Sequence, residues 1–196
     1  MYIFDRDKNR VILVDSETGK EVQHPSPHVT ALIDYLRERG DEGSLRKFAI
    51  WCARQTEFEW KPIVRKIFLQ AEEAAEGSIG AEELEALYDE TEGAAISAES
   101  MGLTSDNREG PGFLAVRSCV HPNASQAALD ASRFALLWAE MNFKHQQDDL
   151  GEDDEKQTWN NLRDKISQQQ IDRLLELLSD EQQRASAREA TATEAV

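Results

Sequence analysis

From Val29 to Leu178 the apolar residues return at intervals of three and four, and this spacing constrains the fold more than any other feature of the 196-residue chain. Side chains at i, i+3, i+4 and i+7 share one face of an α-helix, whereas a half-buried strand would alternate every second residue. Val29, Leu32, Ile33 and Leu36 set a first helix, with Ser26 as N-cap, Pro27 at the first helical position and Gly40 at the end. Leu45, Phe48, Ala49, Cys52 and Thr56 set a second, which Ser44 can cap. A third begins near Pro62, carries Ile63, Ile67, Phe68, Ala71 and Ala74 or Ala75, and stops at Gly77. A fourth runs from about Ala81, with Leu84, Leu87, Tyr88, Thr91, Ala95 and Ala98 on one stripe and Gly102 after it.

Residues 102–112, "GLTSDNREGPG", read as a long exposed loop. Pro111 then opens a short helix through Cys119, which "HPN" stops. Asn123 caps a longer helix whose Ala127, Ala128, Ala131, Ala135 and Trp138 form a small-residue face. The last helix carries Trp159, Leu162, Ile166, Ile171, Leu174, Leu175 and Leu178, but its spacing drifts through "SQQQ", so no sustained heptad is expected. Ahead of the helices, "YIF", "RVILV" and "KEV" alternate with turn residues and read as a β-hairpin or three-strand meander. The expected fold is mainly α, a multi-helix orthogonal or bundle-like domain of seven helical segments with that small β unit in front. Its divisions are a meander over 1–24, a helical core over 25–147, an acidic linker over 148–156, a long helix over 157–184 and a disordered tail over 185–196.

A chain of this length can bury a full core without disulfides or metal. Cys52 and Cys119 lie in apolar helical settings and are expected as buried free thiols. The start "MYIFDRDKNR" meets charge within five residues, and no stretch approaches a bilayer span, so the expected location is cytoplasmic, with no membrane partner. His24 and His28 sit among prolines in "HPSPH", which denies them the i, i+4 geometry of a helical metal site. "ETGKE" and "DDLGEDDE" lack the residue order of a phosphate loop and of a calcium loop. No catalytic, cofactor-binding or metal-ligating residue is assigned, and the chain is read as a non-enzyme.

Charge carries the functional reading. Acidic residues number 38 against 22 basic ones, a net charge of -16, which disfavours nucleic acid and favours a basic protein partner. The charges are also segregated. Between Arg46 and Lys66 six basic residues outweigh Glu57 and Glu59, whereas Glu72 to Glu99 holds ten acidic residues and no basic one. A helix built this way either displays a carboxylate surface to a cationic partner or is a solvated face partly neutralised by basic helices alongside. The candidate partner-binding residues are Glu82, Glu83, Glu85, Asp89, Glu90 and Glu92, with Asp106 and Arg108 from the loop. Two other classes stay open: a helical enzyme using clustered carboxylates or His121 in a cleft, and a homo-oligomer formed through the C-terminal helix.

The stretch "LRKFAIWCARQTEFEW", Leu45 to Trp60, combines aromatics with Arg46, Lys47 and Arg54. Stacking of single-stranded nucleic acid on Trp51, Phe58 and Trp60 is one use for them, but the net charge opposes it. A core helix is the stronger reading, with Leu45, Phe48, Ala49 and Cys52 inward and the three basic residues toward water or the acidic helix.

Over about residues 45–139 the order of features resembles a group of bacterial all-helical immunity proteins and related uncharacterised helical paralogues. The likeness rests on "FAIWCARQT" (48–56), "AEEAAEGSIGAEELEALYDETEGAA" (71–95) and "ALDASRFALLWA" (128–139). The chain departs from the group in its β-rich start and its long leucine-bearing last helix. The resemblance implies a non-catalytic, inhibitor-like protein that neutralises a toxin by binding it, with the acidic surface as contact area and no individual contact residue transferable.

Overall fold

The structure is a computed structural model and describes residues 2–5, 10–14, 18–22, 28–57, 60–101, 109–146 and 152–194. Its frame is a bundle-like all-α fold. Among the described residues there are eight helices: α1 (His28–Glu38), α2 (Glu42–Arg54), α3 (Pro62–Ala75), α4 (Ala81–Glu90), α5 (Glu92–Met101), α6 (Glu109–Cys119), α7 (Ala124–Gln146) and α8 (Glu152–Glu194).

At the centre, α7 lies along both α2 and α6. Its small-residue face makes this possible: Ala127, Ala128 and Ala131 are fully buried, and short side chains let helix axes approach closely. Around that trio, α3 packs on α2 and α6, α5 on α6, and α8 crosses α1, α2 and α7. Leu45, Phe48, Ala49 and Cys52 of α2 join Ile33 and Leu36 of α1, Val116 of α6 and Leu174 and Leu178 of α8 in one continuous core. Each such large side chain removed from water contributes about 1.5–3 kcal/mol before ordering costs. Phe143 of α7 meets Trp159 of α8 with ring centroids 5.9 Å apart, tying the two helices of a terminal hairpin together.

Several boundaries differ from expectation, each for a local reason. The single helix expected from Ala81 through Ala98 is two, α4 and α5, because Thr91 turns its hydroxyl back onto Tyr88 O at 2.8 Å. Helix α2 begins two residues before Ser44. Asp41 is its N-cap and accepts from Ser44 N–H at 3.0 Å, a charged acceptor winning the helix N-terminus over a hydroxyl. The loop expected over 102–112 is shorter at its far end, since Glu109–Gly112 are the first turn of α6, with Gly110, Pro111 and Gly112 buried. Proline fits a first turn, where its missing N–H is not needed. A Cβ on Gly112 would lie 3.4 Å from Trp138 Cδ1 and 3.6 Å from Thr56 Oγ1, at van der Waals contact, so the start of α6 sits against α7 and the residues that follow α2. Helix α8 spans 43 residues, about 64 Å, and takes in residues expected as an acidic linker and a frayed tail. Its added segments, 152–156 and 185–194, are led by Glu and Ala, which favour helix without needing an apolar face. Gly77 does adopt the left-handed conformation expected after α3, at φ 80°. The expected cap at Ser26 and Pro27 lies outside the described residues.

Candidate functional site

Helix α4 separates its residues into two faces. Leu84 is buried, and Leu87 and Tyr88 are partly buried against the core, which turns Glu82, Glu83, Glu85, Asp89 and Glu90 outward. All five are exposed, as is Glu92 at the start of α5. Asp106 and Arg108 lie outside the described residues.

One of these carboxylates has a structural task. Glu83 Oε2 accepts from the Gly80 backbone N–H at 3.0 Å, which satisfies a free donor at the start of α4. Among the described residues, no Lys, Arg or His lies within ion-pair distance of Glu82, Glu85, Asp89, Glu90 or Glu92. Two of the basic side chains expected to neutralise them are occupied elsewhere: Arg54 pairs with Glu72 on α3, and Lys61 with Glu109 on α6.

The arrangement also works against the stability of its own helix. Glu85 and Asp89 are like charges at i, i+4, and Glu82 and Glu85 at i, i+3, each pair mildly repulsive. Asp89 and Glu90 occupy the last turn, where the helix dipole is negative and no basic residue of α4 offsets it. Such a placement costs about 0.3–1 kcal/mol per charge at an exposed helix end.

What holds this strained end is Arg117 of α6. Its Nη2 donates to Tyr88 O at 3.1 Å, its Nε donates to Thr91 Oγ1 at 3.0 Å, and its guanidinium carbon lies 3.6 Å from the centre of the Tyr88 ring. His121 meets the same ring edge-on, centroids 4.8 Å apart. The α4–α5 joint, and with it the orientation of the carboxylate face, is thus clamped onto α6.

The remaining chemistry-bearing residues are absorbed into packing. Arg46 was expected to face water or the acidic helix, yet it is 8% exposed. Its guanidinium donates to His121 O at 3.1 Å and Pro122 O at 2.8 Å, closing the turn between α6 and α7. Burial lowers its pKa from the ordinary guanidinium value, with Glu42 acting in the opposite sense. Cys52 and Cys119 are both buried free thiols. Burial pushes Cys52 up, Cys119 adding to it, and burial likewise pushes Cys119 up although Arg46 opposes. Cys119 Sγ donates to Ala115 O at 3.4 Å, while His121 Nδ1 accepts from the Asn123 N–H at 3.0 Å, so these two side chains are engaged apart from one another. Trp60 donates to Thr56 Oγ1 at 3.1 Å and packs on Phe68, with centroids 4.7 Å apart, which commits that aromatic to the interior edge. Phe58 lies outside the described residues. Among the described residues no three His, Cys, Asp or Glu side chains are grouped to hold a metal, and no helix is long and apolar enough to cross a membrane.

Sequence reasoning did not find Arg117, since a lone arginine on a helix carries no signal of its partners. The fold and site together define a bundle-like all-α protein in which Glu82, Glu85, Asp89, Glu90 and Glu92 are exposed and have no ion-pair partner among the described residues. Compared with protein-family models, curated proteins and solved structures, the chain returns no match.

Proposed function

We propose that this protein is a non-catalytic binding protein that engages a basic protein through the outer face of α4, in the manner of an inhibitor or immunity protein. The observation that carries the reading is that Glu82, Glu85, Asp89, Glu90 and Glu92 have no ion-pair partner among the described residues, combined with their cost to α4. A solvated face chosen only for solubility would be expected to place acids at the helix start and bases at its end. Here the last turn is acidic, and a local rule broken without structural gain points to a use for the charges. Complementary charge on a partner would supply association rate and register. Within this proposal the setting is cytoplasmic, the N-terminal strands form a small meander resting on the helical domain, and Asp106 and Arg108 extend the contact surface.

The test is the ionic-strength dependence of binding to an isolated partner. Affinity should fall steadily as salt rises, because exposed charges are screened beyond about 10 Å at 0.1 M. An affinity that is the same at low and high salt would remove the acidic face from the interface.

A further inference from the structure

The groove between α2 and α8 is used by none of the contacts described above. It is an open hollow of about 490 Å³ bordered by Trp51 and Gln55 of α2 and by Asp172, Arg173, Leu175 and Glu176 of α8. That volume suits a side chain with part of its backbone. Its floor is apolar and its rim is charged: Leu175 is buried, Trp51 is partly exposed, and Asp172 and Glu176 stand one turn apart on α8.

The polar groups divide unevenly. Gln55 Nε2 is held by Trp51 O at 3.2 Å, and Arg173 donates through Nη1 to Glu176, while its buried Nε has no hydrogen-bond partner among the described residues. Among the described residues Asp172 accepts from the side chain of Gln168 alone, at 2.8 Å, and keeps capacity for a further donor. An anion entering the groove would meet the uncompensated carboxylate of Asp172, whereas a neutral peptide carbonyl can accept from Arg173 Nε. A wholly apolar ligand would strip water from Asp172 and return nothing for it. A cation gains from the indole face and from the carboxylate together.

We propose that this groove is a second recognition site, accepting an arginine side chain presented by a peptide segment, with its guanidinium stacked on Trp51 and hydrogen-bonded to Asp172. Arginine fits better than lysine because its planar, weakly hydrated head both stacks on an aromatic ring and donates in a fork. This site is independent of the α4 face and does not rest on the function proposed for it.

The experiment is a titration of the full chain with an acetylated, amidated tri-arginine peptide, read at the four tryptophan indole N–H resonances after backbone assignment. A matched peptide with citrulline in place of arginine keeps the shape and removes the charge. The expected result is a saturable shift of the Trp51 resonance with the arginine peptide and not with its citrulline twin. Replacing both rim acids, D172N/E176Q, should weaken that response about tenfold, whereas E85K/D89K/E90K on α4 should leave the Trp51 response in place. The proposal is overturned if Trp51 does not respond, if citrulline serves equally well, if D172N/E176Q binds like the parent, or if the α4 variant abolishes the Trp51 response.

Discussion

Replacing Arg46 with Met retains most of the aliphatic stem and removes the guanidinium, which isolates the polar contribution of a side chain that is 8% exposed. Two carbonyls, His121 O and Pro122 O, lose donors at 3.1 and 2.8 Å. A buried acceptor left without a partner costs about 1–3 kcal/mol, so the gross loss is about 2–6 kcal/mol. Against this stands relief of the desolvation that lowers the Arg46 pKa, a recovery in the opposite direction. Both carbonyls sit in a partly buried turn that water can reach in part, and the net loss should be about 2 kcal/mol. Urea unfolding followed by circular dichroism measures it, provided the m-value is unchanged, so that a lower midpoint reports stability and not a different unfolded state. Arg46→Ala should lose about 1 kcal/mol more, for the stem. A Met variant as stable as the parent, or more stable, would show that desolvation outweighs the two hydrogen bonds, and the turn between α6 and α7 would then need another explanation.

Other outcomes follow from the same packing. Phe48→Ala, at a fully buried ring, should cost about 3–5 kcal/mol, whereas Leu69→Ser, at a side chain 58% exposed, should stay within about 0.5 kcal/mol by the same urea measurement. Arg117→Ala should lose about 1–2 kcal/mol and, in hydrogen exchange, should unprotect residues 88–95 before the rest of the helical frame, because it releases Tyr88 O and Thr91 together. Burial raises both thiols above their ordinary value, so the folded state keeps their protons at a pH where the unfolded chain has lost them. Stability should therefore be unaffected by them below about pH 9 and fall above it, by up to about 1.4 kcal/mol per pH unit per thiol, and C52A/C119A should flatten that alkaline decline.

Much of the helical frame was legible because a three-to-four spacing of apolar side chains has few other solutions. The small-residue face from Ala127 to Ala135 and the stripe of Leu45, Phe48 and Cys52 both lie in the core where periodicity placed them. What periodicity does not carry is continuity. Thr91 keeps the register of its stripe while its hydroxyl ends α4, so a broken helix and an unbroken one read alike. Helix ends in polar sequence are hard to place for the converse reason: the two end segments of α8 lack apolar spacing but hold enough Glu and Ala to continue the helix. Arg46 was misplaced because its burial depends on two carbonyls 75 and 76 residues away. The same limit applies to sites. Exposure of the α4 carboxylates could be inferred from Leu84, Leu87 and Tyr88 on the opposite side, but which of them go without an ion pair among the described residues is a property of the assembled bundle. The Trp51 groove needs α2 and α8 side by side, and no local pattern announces that pairing.

The central claim is that the outer face of α4 binds a basic protein. Its most direct test compares the parent chain with E85K/D89K/E90K as bait in parallel affinity captures from the lysate of its own source, at low and high salt, with retained proteins identified by mass spectrometry. This variant spares Glu83, which holds Gly80 N–H, and places lysines in the last turn of α4, where the dipole favours them, so the helix should be no less stable. The expected result is a basic protein held by the parent at low salt, released at high salt, and not retained by the variant at either. Retention of the same protein by parent and variant alike would contradict the claim.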